Sequence, residues 1–159
     1  MFIKLYSRMI KTIFILCCLS GCAERVIDIV DKKGTIIGGC NAGFDWHFYG
    51  LQDSIDYMLY QCAKESIERG HTVSDKKLLD IDFTLPAPPT GKSWNKKIAM
   101  AQFHADKISE RHLGYILADI ELKYMQVLWP VEDDLANGKI NQVQFNQLKK
   151  EARFIWLGE

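Results

Sequence analysis

The sequence predicts an α+β protein in which a small antiparallel sheet precedes a predominantly helical C-terminal half. Two β-branched runs flank a turn near residue 33, apolar and polar residues alternate over 79–85, and helical spacing of apolar residues dominates 94–159. A chain of this length can bury the core of one domain and is short for two. The expected mature domain covers residues 22–159. Within it we expect a hairpin-helix-strand part at 25–85, a Pro-rich connector at 86–93 and a helical part with two hairpin repeats at 94–159.

The first element is a β-hairpin in the stretch RVIDIVDKKGTIIGG, residues 25–39. Apolar β-branched residues stand on both sides of DKKG, whose glycine can take the positive φ that a tight turn requires. A helix over 53–69 follows, with Asp53 as the expected N-cap and Gly70 as the stop. Cys62 falls on the apolar face of this helix, so it should point toward the sheet.

A third strand is expected at LDIDFTL, residues 79–85. Apolar and polar residues alternate there without a fault, which is typical of a half-exposed strand. The apolar face would carry Leu79, Ile81, Phe83 and Leu85. The strand stops at the connector 86–93, where three prolines favour a stiff extended chain.

The helical part from Trp94 onward contains an internal repeat with a spacing of 32 residues. Each copy reads as a helix end, a tight turn, a buried isoleucine, an N-cap and a new helix. The expected N-caps are Ser109 and Asn141. Pro130 is expected to break the long helix that starts at Ser109, which gives four helices in this part.

The second copy of the repeat has the pattern L-x-x-G-K-I-x-x-x-x-F-x-x-L-K, residues 135–149. This pattern resembles the short C-terminal (SHOCT) helical hairpin that occurs at the ends of bacterial proteins. The resemblance implies a compact pair of helices at the end of the chain.

The N-terminal segment has the order of a secretory signal peptide. Basic residues come first, the uncharged run TIFILCCL follows at 12–19, and two small residues precede Cys22. The run has eight residues, well short of the roughly 20 that cross a bilayer as a helix. Residues 1–21 are therefore expected to be removed, with translation starting at Met1 or Met9.

The stretch Leu19-Ser20-Gly21-Cys22 resembles the lipobox of bacterial lipoproteins. The resemblance implies cleavage before Cys22, a diacylglycerol on its thiol and an acylated new amine; several acyl chains hold a protein firmly to a membrane. No Asp follows Cys22, and in the family this implies sorting to the outer membrane, facing the periplasm. The alternative is ordinary cleavage nearby, which would leave Cys22 as a spare thiol.

Two of the five cysteines, Cys40 and Cys62, lie beyond the lipobox in the mature chain. In an oxidising compartment the simplest expectation is one disulfide between them. A loop of this length should stabilise the fold by about 3 kcal/mol. The alternative is a redox or nucleophilic pair, but the spacing is far from C-x-x-C and no activating partner stands out.

Composition excludes a nucleic-acid partner from the leading hypotheses. The mature chain keeps 17 basic and 20 acidic residues, a net charge of −3. The four histidines form no H-E-x-x-H pattern and have no ligands at zinc spacing, so we expect neither a metal nor a cofactor. No G-x-S-x-G or Gly-rich phosphate loop supports an enzyme.

Asp45, Trp46 and His47 form the candidate binding segment, within the aromatic stretch NAGFDWHFYG. Asp45 could orient His47 as a general base, and an exposed Trp46 would suit a binding surface. The alternative is that these aromatics pack over the disulfide and the neighbouring helix.

The sequence therefore predicts a lipoprotein attached to the membrane by its lipid anchor, with a non-enzymatic binding or scaffolding role toward an envelope protein partner. The alternative is an envelope enzyme or small-ligand binder that uses Asp45 and His47.

Overall fold

The computed structural model describes residues 23–44 and 49–158. It confirms the α+β class, with a small antiparallel sheet followed by helices in these residues. In chain order the elements are β1 (Ala23–Val30), β2 (Ile36–Phe44), α1 (Leu51–Glu68), β3 (Thr72–Val73), a 3-10 helix (Lys76–Asp80), α2 (Lys96–His104), α3 (Glu110–Ala136) and α4 (Gln142–Leu157).

The predicted β-hairpin is confirmed. β1 and β2 pair antiparallel, with Ile27 opposite Cys40, and β3 pairs with the other edge of β1. The turn is held by Asp31, whose carboxylate accepts hydrogen bonds from the backbone N–H groups of Lys33 and Thr35 at 2.8 and 2.9 Å. Gly34 takes the positive φ of 83° that this tight turn requires.

The third strand does not lie at 79–85, and that prediction is wrong. β3 is the two-residue segment Thr72–Val73, while Leu79 belongs to the 3-10 helix. Residues 81–85 have no paired neighbour among the described strands. Their apolar side chains serve packing instead: Phe83 stacks on Tyr60 with ring centroids 4.6 Å apart, whereas Ile81 is 38% exposed.

The helix α1 packs on the sheet and is joined to it by the Cys40–Cys62 disulfide, as predicted. Its start differs from the prediction: the helix begins at Leu51 and its N-cap is Gly50, not Asp53. Gly50 takes this place because its backbone lies against α3, where no side chain would fit. The predicted stop is confirmed, since Gly70 ends the helix at a φ of 84°.

The helix α3 contributes to both clusters of buried residues found in the described chain. Tyr115 and Ala118 pack toward α1 and the sheet, and Leu113 and Leu117 pack toward α2 and α4. Because both sets of residues lie on α3, this helix connects the two clusters of buried residues. Leu85, just before the Pro-rich connector, packs against both clusters.

The two copies of the repeat have the same turn geometry. The N–H groups of residues 105–107 donate to carbonyls of residues 101–103, and those of 137–139 donate to the equivalent carbonyls 32 residues later. Asp106 and Gly138 occupy the same position and both have positive φ. The predicted N-caps are confirmed, since the Ser109 and Asn141 side chains accept backbone hydrogen bonds from the first turns of α3 and α4.

Pro130 does not break α3, so the expected four helices from Trp94 onward are three: α2, α3 and α4. A proline removes one intrahelical hydrogen bond because it has no N–H. Pro130 lies on the exposed side of α3, where water can satisfy the carbonyl that loses its donor. The helix therefore continues for six further residues to Ala136.

Candidate functional site

Two of the predicted sites fall outside the described residues. These are the lipidation residue Cys22 and the binding segment Asp45 to His47. The next described residue, Tyr49, is 45% exposed, and its ring centroid lies 5.1 Å from that of Phe103. Tyr49, two residues after the candidate segment in the sequence, thus belongs to a partly exposed aromatic contact.

The Cys40–Cys62 disulfide is a structural element at the centre of the fold. Cys40 is 1% exposed and belongs to the cluster between α1 and the sheet. Its Cα lies 5.9 Å from that of Cys62. The half-cystine that holds the sheet is therefore shielded from solvent, which suits a structural bridge and not a reactive one.

The described surface carries an apolar groove between α3 and α4, which we call the α3–α4 groove. It encloses about 100 Å³. Its walls are mostly apolar, and its lining residues are Trp94, Ile120, Lys123, Tyr124, Val127, Ala152, Ile155 and Trp156.

The floor of the groove is set by small and aromatic residues that hold the two helices together. Ala152 is 6% exposed, and its small side chain fits the inner face of α4. Tyr124 and Trp156 stack across the hairpin with centroids 4.8 Å apart and planes 17° apart. Trp94 closes one end, where its indole N–H donates to the Pro86 carbonyl at 2.9 Å. The floor is thus a fixed aromatic surface.

The rim of the groove is apolar and open to solvent. Val127 is 53% exposed and Ile155 is 72% exposed, although both line the groove. Large exposed aliphatic side chains around a preformed concave surface are typical of a protein contact site.

The hairpin has further exposed apolar side chains that do not line the groove. Val143 is 78% exposed and Phe154 is 61% exposed, both on α4, and Trp129 on α3 is 54% exposed. The α3–α4 hairpin therefore keeps several large apolar side chains exposed to solvent in the folded chain.

Charge is low inside the groove. Lys123 is the lining cation, and its ammonium group pairs with Asp119 at 2.6 Å. Burial raises the pKa of the Tyr124 phenol, and since an ordinary phenol is already neutral at physiological pH, this group adds no charge to the groove. Among the lining residues none is a Ser, Cys, His, Asp or Glu that could act as a nucleophile or a carboxylate base. The lining is therefore suited chemically to apolar contacts.

Glu121 lies next to the groove residue Ile120 and has an unusual environment. Its Oε2 atom is buried and has no hydrogen-bond partner in the described chain. Burial raises the pKa of this carboxyl group, and the nearby charge of Lys96 opposes that shift. The buried charge of Glu121 therefore lowers the stability of the folded protein.

A second, more open groove lies beside the start of β1, ahead of the residues that pair with β3. Arg25 lies in it, but its guanidinium forms ion pairs with both Asp56 and Asp75. Two carboxylates already offset the charge of Arg25, and Lys76 and Lys77 also line the groove. The ion pairs fasten β1 to α1 and to the segment that follows β3.

Within the described residues no three His, Cys, Asp or Glu side chains come together as a metal site would require. None of the described helices combines the length and apolar character needed to cross a bilayer. No protein-family model, curated protein or solved structure matches this chain.

Sequence reasoning missed the α3–α4 groove, although a signal for it was present. Ile120, Tyr124 and Val127 recur at helical spacing after the buried part of α3, and Ala152 and Ile155 recur on α4. The pattern predicts that these faces meet. It does not predict that they meet incompletely and leave a groove.

Proposed function

We propose that the protein is an outer-membrane lipoprotein that faces the periplasm, is attached through lipidated Cys22 and has a non-enzymatic binding or scaffolding role. The lipobox-like sequence at 19–22 supports the anchor. The buried Cys40–Cys62 disulfide supports an exported chain, because such bridges persist in oxidising compartments.

The α3–α4 groove is the observation that carries the binding role. Small-molecule sites usually enclose about 300–1,000 Å³. The groove encloses about 100 Å³, well below that range. Its open apolar rim at Val127 and Ile155 fits the apolar face of a partner helix laid along two antiparallel helices. The proposed partner is therefore an envelope protein that contributes an amphipathic helix.

Covalent crosslinking in intact envelopes, followed by capture through a C-terminal tag, tests this role. The Ile155→Arg variant places a charge on the rim and should abolish capture of the partner. Val143→Arg is the matched control, since Val143 lies on the same helix, is 78% exposed and does not line the groove. Both variants should keep the wild-type melting temperature.

A single envelope protein captured by the wild type and by Val143→Arg, and lost with Ile155→Arg, supports the proposal. If the Ile155→Arg variant captures the partner as well as the wild type does, the groove is not the binding site. If only crosslinked copies of this chain are recovered, the partner is a second copy of the protein and not a different envelope protein, which contradicts the proposed partner. Recovery of the bare monomer contradicts the scaffolding role.

A further inference from the structure

We propose that the end of the domain formed by Ala23, Tyr49 and Lys107 lies against the lipid bilayer, and that the α3–α4 hairpin projects away from it. This orientation rests on the proposed lipidation of Cys22. The surface that would meet the bilayer follows from where the folded chain begins and from the directions of three elements.

The folded sheet begins one residue after the anchor. β1 starts at Ala23, and Cys22 is the residue that the acyl chains would occupy. One residue spans at most about 3.6 Å, so no linker separates the lipid from the sheet. The end of the sheet that contains Ala23 must therefore lie at the membrane surface.

The helix α1 runs in the same direction as β1. Arg25 near the start of β1 pairs with Asp56, and Cys40, which lies opposite Ile27, is bonded to Cys62. Beyond the end of α1, Val73 pairs with Ile29. Successive residues of β1 thus contact successively later positions from α1 to β3, so α1 runs parallel to β1. The start of α1 therefore lies at the anchored end.

The helix α3 also starts at the anchored end. The Gly50 N–H donates to the Glu110 carboxylate at 2.9 Å, and the Ser54 hydroxyl donates to the Gly114 carbonyl at 2.8 Å. One turn farther along α1, the Tyr57 hydroxyl donates to Asp119 at 3.1 Å. Both helices therefore leave the anchored end in the same direction.

The length of α3 sets the distance of the hairpin from the bilayer. Its 27 residues span about 40 Å at 1.5 Å per residue. The groove residues Ile120 and Val127 lie roughly 15 and 25 Å along this axis from Glu110. A partner bound in the groove would thus be held in the aqueous space and not inside the bilayer.

The aromatic side chains near the start of α3 agree with this orientation. Tyr49 and Phe103 are in contact near the anchored end, and tyrosine is favoured at the membrane interface. Lys107 precedes α3 and can approach anionic headgroups. Charge does not distinguish the two ends, since exposed Asp106 and Glu110 lie beside Lys107 and exposed Glu132 and Asp133 lie at the far end.

Energy transfer from three single-site fluorophores to labelled lipids tests the orientation. The lipidated protein is reconstituted in vesicles of phosphatidylethanolamine and phosphatidylglycerol that contain an acceptor lipid. The labels are attached through Lys107→Cys at the anchored end, Lys33→Cys in the β-hairpin turn and Ala136→Cys at the far end of α3. All three positions are exposed, so labelling should leave the melting temperature unchanged.

Transfer should be strongest at residue 107, weaker at 33 and weakest at 136. Equal transfer at 107 and 136, or stronger transfer at 136, overturns the orientation when mass spectrometry shows acylated Cys22. The lipid anchor itself would survive that result. Chains whose Cys22 carries no acyl group in the native host overturn the proposed anchor and the orientation with it.

Discussion

Gly50 and Gly114 bring the backbones of α1 and α3 into direct contact. A Cβ atom on Gly114 would lie 2.5 Å from the Gly50 carbonyl oxygen, and one on Gly50 would lie 2.9 Å from the Gly114 Cα. Gly50 also has a φ of 63°, which L side chains rarely adopt. This crossing is where the β-sheet part and the helical part of the domain are joined.

The Gly114→Ala substitution should therefore lower the free energy of unfolding by about 3 kcal/mol, the upper end of the usual cost of overpacking, since backbone atoms leave little room for relief. Chemical denaturation followed by far-UV circular dichroism measures this change. Gly138→Ala is the control: Gly138 also has positive φ, but nothing lies within 4 Å of its added Cβ. It should cost about 1 kcal/mol. Equal costs at the two positions would contradict the close crossing.

Replacing both cysteines of the bridge, as Cys40→Ala with Cys62→Ala, should lower the free energy of unfolding by about 3 kcal/mol, because a 22-residue loop is no longer closed in the unfolded chain. The measurement is denaturation with and without a reductant. Reductant should destabilise the wild type and leave the double variant unchanged. A wild type indifferent to reductant would contradict the bridge.

Glu121→Gln should stabilise the protein at neutral pH. Burial raises the pKa of the Glu121 carboxyl in the folded protein, so its favourable contribution is present below the unfolded pKa and is lost as pH rises through the folded value. The variant removes that loss. Melting temperatures of the two proteins should converge at acid pH and separate in favour of the variant at pH 7.

The matched control for this pH effect is Glu132→Gln, which removes an exposed carboxylate from the same helix. Its melting temperature should follow that of the wild type across the same pH range. A Glu121→Gln variant that is less stable than the wild type at neutral pH would show that the carboxylate has a stabilising partner.

Tyr57→Phe should weaken the loss of stability at alkaline pH. Burial, then the charge of Asp119, raises the pKa of the Tyr57 phenol above its usual range. The folded state keeps the proton while the unfolded chain releases it above about pH 10, so the wild type loses stability as pH rises from there. Stability measured between about pH 9 and 11 should fall less steeply in the variant.

At neutral pH the same variant should be about 1 kcal/mol less stable, because the hydrogen bond from Tyr57 to Asp119 is lost. Asp119 keeps its ion pair with Lys123, so no carboxylate is left unpaired. Identical alkaline slopes in the two proteins would show that Tyr57 ionises in the folded state.

Local patterns predicted the elements whose partners lie nearby in the sequence. The β1–β2 hairpin follows from its turn residues, and the N-caps Ser109 and Asn141 follow from the chemistry of helix starts. The Cys40–Cys62 bridge follows from the cysteine count once export is expected. Each prediction needed only residue type and spacing.

The errors arose where long-range packing decides the structure. The alternation of apolar and polar residues at 79–85 suits a strand. In the structure Phe83 instead packs against Tyr115, with ring centroids 4.9 Å apart, and has no neighbouring strand. Pro130 is tolerated in α3 because of its exposed position, which the sequence does not show. The α3–α4 groove likewise depends on the distance between α3 and α4, which local patterns do not determine.

The intact mass of the native protein, isolated from fractionated cells, tests the central claim most directly. We expect a membrane-fraction chain that begins at Cys22, carries added acyl mass and lacks the two hydrogens that a Cys40–Cys62 disulfide removes. A cytosolic chain that retains residues 1–21, carries no lipid and has both thiols reduced would contradict the anchor, the compartment and the proposed partner together.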